Sequence, residues 1–179
     1  MFGKHISNYS NFSGEKLGIT AQDNILWDMT SLYEHFIITG IIRGMSMQEI
    51  EQKFEVLSEK LNLDKKHKLV EVLSGGNKRK LATALTLFIN PSLSFYDEPT
   101  VGLDPISRRN LLQLIRAQKQ STLFTTHRLD EAEYLCDRIA ILMGGRLVCV
   151  GSSSFLKELY ADDIFILVEN PSGDLPQLQ

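Results

Sequence analysis

Three things are scarce in this 179-residue chain. Cysteine occurs twice, at Cys136 and Cys149, with no metal-ligand or disulfide-framework spacing. Both lie in apolar settings, so buried free thiols in a reducing compartment are expected. Long apolar runs are missing. The best, over 36–42 and 81–89, fall far short of the roughly 20 residues that a membrane-spanning helix needs. No secretory apolar core follows the first residues, and Phe2 stands where myristoylation requires glycine. The chain itself is therefore expected to be cytoplasmic. Positive charge is also in short supply. The formal net charge of -3 argues against a basic face for nucleic acid. What remains is ordinary globular material, 43% hydrophobic and 23% charged, enough for one domain with a real core.

Periodicity and punctuation outline the elements. Residues 1–16 are polar and broken, and read as loop. A short strand over 17–21 leads into Gln22. Ser31 with Glu34, and Ser46 with Glu49, each match a capping box that starts a helix. The second of these helices carries Ile50, Phe54, Leu57 and Leu61 on one face. A further helix over 78–89 stops at Asn90-Pro91. A buried strand over 93–96 ends in two acids, and Asp104-Pro105 opens a helix with Leu111, Leu112 and Ile115 as its apolar face. A strand follows over 121–125 and a short helix over 130–136. Strands over 138–143 and 146–150 join at Gly144-Gly145, a hairpin signal. A helix over 155–160, a strand over 164–168 and a tail from 170 complete the reading. Helices alternating with apolar strands make the class α/β. The all-helical stretch over about 28–72 reads as a subdomain inserted into that core.

Some residues carry chemistry. Asp97-Glu98 ends a buried strand, which places both acids at the carboxyl edge of a sheet, where ligands of open α/β folds sit. Asp97 suits Mg²⁺, which prefers oxygen ligands and keeps part of its water shell. Glu98 suits the orientation and deprotonation of an attacking water. Ser74-Gly75-Gly76 opens a helix. The glycines let backbone approach an anion, and the helix N-terminus presents free N–H groups. For Lys78, Arg79 and Lys80 a solvated face and a ligand contact are equally good readings. Gln22 follows a strand and offers an amide oxygen to Mg²⁺ or water. His127 follows the strand over 121–125, where an imidazole can hydrogen-bond a γ-phosphate. His5, His35 and His67 are read as structural. Singly, each feature is an ordinary turn, cap or surface group; their order and spacing make the argument.

As a set these residues resemble the nucleotide-binding domain of ABC transporters. Gln22 is similar to the Q-loop glutamine, residues 73–77 to the signature motif and residues 93–98 to Walker B. Gly102 to Pro105, including Asp104, resembles the D-loop, and His127 the switch histidine. The resemblance spans about residues 15–160. Finer details look like the A subfamily: residues 23–28 after the glutamine, 74–81 around the signature, Ser107-Arg108-Arg109, and residues 130–133, 137–142 and 151–157. It implies a P-loop NTPase-like cassette core over 1–169, with ATP and Mg²⁺ as ligands. ATP is expected at Gln22, Ser74, Gly75, Gly76, Asp97 and Asp104, the metal at Gln22 and Asp97, and catalysis at Glu98 and His127. It also implies a second cassette, paired head to tail so that Ser74 to Gly76 touch ATP held by the partner. A transmembrane domain, met through Trp27, Tyr33 and the helices to Leu61, would hold the protein at the cytoplasmic face of a membrane. Lipids and sterols are the substrate class that the subfamily suggests.

One part of the family pattern is missing. No phosphate loop of the form G-x-x-x-x-G-K-S/T occurs in the sequence, nor the upstream aromatic that stacks on adenine. The chain is expected to begin just downstream of that loop, as a cassette core lacking its first strands. Ala21 stands where proline is usual, and Ser94 and Tyr96 make the Walker B strand less aliphatic than usual. Two functions follow: a portion of a transport ATPase, or a non-hydrolysing module that lends its signature motif to a partner. On its own the chain is expected to be inactive. A soluble ABC ATPase of translation or DNA repair fits least, because no coiled-coil heptads separate Asp23 from Leu73.

Overall fold

A computed structural model describes residues 17–63 and 66–160. The loop expected over 1–16, the strand expected over 164–168 and the tail from 170 lie outside them. The chain divides into two units, residues 1–135 and residues 136–179.

In the first unit, strands β1 (Leu17–Thr20), β2 (Leu93–Asp97) and β3 (Ser121–Thr125) form one parallel sheet in the order β1-β2-β3. Gly18, Ser94 and Thr122 stand side by side, as do Thr20, Tyr96 and Phe124. Parallel neighbours need crossovers. Between β1 and β2 run α1 (Leu32–Ile42), α2 (Met47–Leu61), a 3₁₀ turn (Val70–Val72) and α3 (Gly75–Ile89). Helix α4 (Pro105–Arg116) joins β2 to β3, and α5 (Leu129–Leu135) follows.

Local chemistry starts these helices where the sequence places them. Both capping boxes form: the Glu34 carboxylate accepts from the Ser31 N–H at 2.7 Å, and that of Glu49 from the Ser46 N–H at 2.8 Å. Helix α3 begins at Gly75, three residues earlier than expected. The cause is Ser74, whose hydroxyl oxygen accepts from the Asn77 N–H at 3.3 Å and caps the first turn.

The core of this unit is an aromatic joint between three helices. Phe36 of α1 meets Phe54 of α2 and Phe88 of α3 edge-on, with ring centroids 5.1 Å apart in both pairs. Leu32, Ile50, Leu61 and Leu81 close around them, all essentially inaccessible. Helix α3 belongs equally to the sheet. The Thr20 hydroxyl donates to that of Thr86 at 2.9 Å, and a Cβ on Gly18 would fall 2.7 Å from Pro91 Cγ. Gly40 plays the matching part between the helices, where a Cβ would collide with the Ile50 side chain. Gly40→Ala is expected to lower stability by about 1–3 kcal/mol, the usual cost of overpacking. Urea unfolding of the purified chain measures it; an unchanged midpoint would show that Ile50 yields freely.

The second unit contains an antiparallel hairpin of β4 (Ile139–Met143) and β5 (Arg146–Gly151) and the helix α6 (Ser153–Tyr160). Its turn is Gly144-Gly145, with φ of 55° and 74°. That left-handed pair matches the twist of a two-residue hairpin and suits glycine at both places. The expectation of buried cysteines needs correction here. Cys136 and Cys149 are free thiols but only half-buried; Cys149 lies on the hairpin, where Leu142 and Leu147 are 69% and 59% exposed, and Cys136 precedes it. Among the described residues, no helix is long and apolar enough to cross a membrane.

Candidate functional site

Parallel strands in register deliver their C-terminal ends to one edge, and three loops leave the sheet there. Gln22 follows β1, Asp97 ends β2 with Glu98 directly after it, and His127 follows β3. The structure therefore gathers four of the expected residues along one edge. His127 Nδ1 lies 2.9 and 3.0 Å from the two carboxylate oxygens of Glu98. The Thr125 hydroxyl donates to Asp97 Oδ1 at 2.5 Å. Asp97, Gln22 and His127 face solvent, whereas the Glu98 side chain is largely covered.

Glu98 is the strained residue of the edge. Its φ is +48°, a left-handed conformation rare for a residue with a Cβ. Such strain persists where surrounding contacts over-determine it. Here the Glu98 N–H donates to the Thr125 carbonyl at 3.2 Å and to the Thr125 hydroxyl at 3.1 Å. Its carbonyl accepts from the Val101 N–H at 3.3 Å and from Arg79 at 2.7 Å. The backbone is held at both ends and the carboxylate is aimed at His127.

Arg79 is the residue that sequence reasoning left undecided, and it is neither solvated nor a ligand contact. It is 3% exposed. One terminal nitrogen donates to the carbonyls of Ala21 at 2.6 Å and Gln22 at 2.9 Å, and to Asn24 Oδ1 at 3.3 Å. The other donates to the carbonyls of Asp97 and Glu98. One planar fork thus ties the loop after β1 to the end of β2, a geometry that an ammonium could not supply. Burial pushes the guanidinium pKa down, opposed by Asp97, Glu98 and Asp23. Lys80 is buried too, donating to the carbonyls of Leu61 and Asn62 at 3.0 and 3.2 Å, where it closes the end of α2. Only Lys78 behaves as a surface cation, paired with Asp28 at 3.3 Å. Arg79 and Lys80 extend the buried stripe of Thr83, Ala84, Thr86 and Leu87 back by one helical turn.

Of the remaining expected residues, Ser74, Gly76 and Asp104 gather at a second place. Ser74, Gly76, Asn77, Lys80, Gly102, Leu103 and Asp104 line a cleft of about 270 Å³. A Cβ on Gly76 would sit 3.2 Å from the Gly102 carbonyl oxygen, so the turn at the head of α3 is closely opposed to the loop before α4. The first N–H groups of a helix lack carbonyl partners within it, and those of Gly75 and Gly76 head α3. The Asp104 carboxylate is engaged as the N-cap of α4, accepting from Ile106 N–H and Ser107 N–H at 3.0 Å each. The Ser107 side chain first, then the Ser107 and Ile106 N–H groups, hold its pKa below the usual carboxylate range. A larger apolar groove of about 360 Å³, bordered by Lys53, Val56, Leu87 and Phe88, contains none of these residues.

The donor set at the sheet edge fits Mg²⁺. Asp97 is exposed and has an oxygen not engaged by Thr125, and the Gln22 side chain adds an amide oxygen. Among the described residues no cluster of three or more carboxylate, imidazole or thiol groups forms. An ion here would retain water or take ligand oxygens, as Mg²⁺ does when bound through one or two carboxylates.

The family described as ABC transporter matches residues 2–101. The chain belongs to the ABC transporter family. It is 36% identical to the rat cholesterol transporter ABCA5 over 174 residues, 94% of this chain and 10% of that protein. It is 38% identical to human ATP-binding cassette sub-family A member 2 over 176 residues, 96% of this chain and 7% of that protein. The ABC transporter A family member 5 of Arabidopsis thaliana is 35% identical over 161 residues, 87% of this chain and 17% of the relative. The chain thus spans a tenth or less of the two animal relatives. A solved ATP-binding subunit of an ABC transporter superimposes with a TM-score of 0.75 at 26% identity, covering 82% of this chain and 63% of that one. The chain is an A-subfamily-like ABC cassette of α/β fold, as the residues following Gln22 and Ser74 implied.

Proposed function

We propose that this cassette is the ATP-hydrolysing part of an A-subfamily-like transporter that moves lipid across a membrane. The observation that carries the proposal is the Glu98–His127 pair at the sheet edge, with Glu98 locked in a left-handed conformation by Thr125 and Arg79. In this reading Glu98 accepts a proton from a water molecule as that water attacks the γ-phosphorus. The bond from γ-phosphorus to its bridging oxygen breaks, and ADP departs with the electron pair. The second ring nitrogen of His127, when it carries a proton as Nδ1 does, donates to a γ-phosphate oxygen. Asp97 and Gln22 hold Mg²⁺, which neutralises charge on the phosphates when bound. The cleft at Ser74 and Gly76 receives ATP carried by a second cassette, paired head to tail. Residues 28–72 form the helical subdomain that meets a transmembrane domain. The exposed Ile25, Trp27 and Met29, at the entry to that subdomain, suit an apolar partner, and the cholesterol transporter among the relatives supports the lipid assignment.

A second reading is a module that lends its signature cleft and hydrolyses nothing. The 179 residues contain no run that matches the phosphate loop. That loop and its lysine normally compensate the β- and γ-phosphates. Without them two acids confront a tetraanion. The purified chain alone is therefore expected to bind MgATP weakly or not at all. Calorimetric titration with MgATP tests this, and micromolar binding would sink it.

A further inference from the structure

We propose that Glu131 is a positioning residue for Glu98 and His127, holding together from behind the two loops that carry them. The proposal rests on the function assigned to that pair. Glu131 lies on α5, a short helix most of which is exposed, yet it is itself 1% exposed. Its carboxylate accepts from the Thr100 hydroxyl, 2.9 Å from either oxygen, and from the Thr126 hydroxyl at 2.8 Å. Arg128 Nε completes the set at 3.4 Å. Thr100 is two residues beyond Glu98, and Thr126 directly precedes His127. A ring results. It is closed on the solvent side by the contact of His127 with Glu98 and on the inner side by Glu131.

The chemistry of the ring explains the residue type. The Thr126 oxygen accepts from the Arg128 N–H at 3.1 Å, so its proton is directed at Glu131. Thr100 directs a second hydroxyl proton at the same group. Two donors converge, and a carboxylate accepts from both, whereas an amide would turn an NH₂ toward one of them. A buried carboxylate is costly to desolvate and is tolerated where hydrogen bonds satisfy it, as the two hydroxyls do here. The beneficiary is the outer pair. The His127 side chain is 69% exposed and has little packing of its own to hold it against Glu98. Fixing the backbone on either side of the pair restricts where His127 can stray.

The test uses Thr126→Val, which keeps shape and removes the hydroxyl, and Thr126→Ser, which restores it. Glu131→Gln is the third variant. In the full-length protein, Thr126→Val and Glu131→Gln are expected to lower kcat for ATP about tenfold or more, since small misplacements are costly to turnover. KM is expected to change by less than about threefold, because neither residue touches ATP. Thr126→Ser is expected to recover most of the loss. A second readout needs no activity. In the purified chain, hydrogen exchange at the Val101 and Leu103 amides is expected to rise about tenfold in Thr126→Val, with α3 unaltered, as a local opening requires. Unchanged exchange in both Thr126→Val and Glu131→Gln overturns the inference. So does unchanged kcat in a protein that Glu98→Gln inactivates. Should Glu98→Gln hydrolyse normally, the functional assignment fails instead, and the exchange measurement still decides the role of Glu131.

Discussion

Glu98→Gln is expected to reduce ATP hydrolysis by the full-length protein about 10²- to 10⁴-fold, the range a positioned general base contributes. The substitution is chosen to remove proton acceptance and little else. Glutamine matches the side chain in shape, and its amide oxygen can still face His127 Nδ1, now 2.9 Å from the carboxylate. The backbone contacts that hold φ at +48° run through the Glu98 N–H and carbonyl, so they survive. What goes is a basic oxygen to receive the proton of attacking water. Measuring phosphate release in wild type and variant, at equal protein and saturating MgATP, gives the ratio. A rate within about threefold of wild type would remove Glu98 from the role of base and favour a non-hydrolysing module.

Arg79→Met is expected to destabilise the chain by about 3–5 kcal/mol, as does removal of one side of a buried charged network. A buried ion pair replaced on both sides by apolar groups can be neutral or better. That escape is closed here, because four of the partners are main-chain carbonyls, of Ala21, Gln22, Asp97 and Glu98. No substitution removes them. Each would be left buried with fewer donors, at about 1–3 kcal/mol apiece if water stayed out. Methionine preserves the straight stem and helix propensity, so the loss reports the guanidinium. Arg79→Lys should fall between, since one ammonium has three donors and no planar fork. Urea unfolding of the three chains measures the order. A methionine variant within about 1 kcal/mol of wild type would mean that water replaces the fork.

The consequence of Arg79 reaches the site. Its fork meets the carbonyls of the two residues expected to hold Mg²⁺ and that of the expected base, and it stands on the helix headed by Ser74 and Gly75. The two groups of candidate residues are therefore joined through one side chain. Loosening it should shift both together, which makes hydrolysis by an Arg79→Lys protein a sensitive companion to the stability series.

Much of this was legible from residue order alone. Capping boxes at Ser31 and Ser46, the Gly144-Gly145 turn and the strand ending in Asp97-Glu98 are local devices, written in three or four consecutive residues. Local chemistry decides them wherever the chain goes, so sequence alone determines them. The parallel edge that gathers Gln22, Glu98 and His127 was implied by helices alternating with strands, since such alternation demands crossovers. Burial of the basic run was not legible in this way. Lys78, Arg79 and Lys80 are three cations in a row, and chemistry by itself sends them to water. Tertiary structure sends two of them inward because carbonyls far away in sequence accept from them, those of Ala21, Gln22, Asp97 and Glu98 from Arg79 and those of Leu61 and Asn62 from Lys80. The same holds for Glu131, which looks like an ordinary helix acid until Thr100 and Thr126 turn their hydroxyls on it. Cys136 and Cys149 err in the opposite direction: apolar neighbours suggested a core, but both are only half-buried, Cys149 among hairpin residues whose large side chains are mostly exposed. Sequence alone thus determined the family, the elements and the acids at the strand end, because these depend on neighbours along the chain. Only the tertiary structure decided which charges are enclosed, because enclosure depends on partners distant along the chain, 18 to 58 residues away for Arg79 and 31 for Thr100 with Glu131, that no local pattern records.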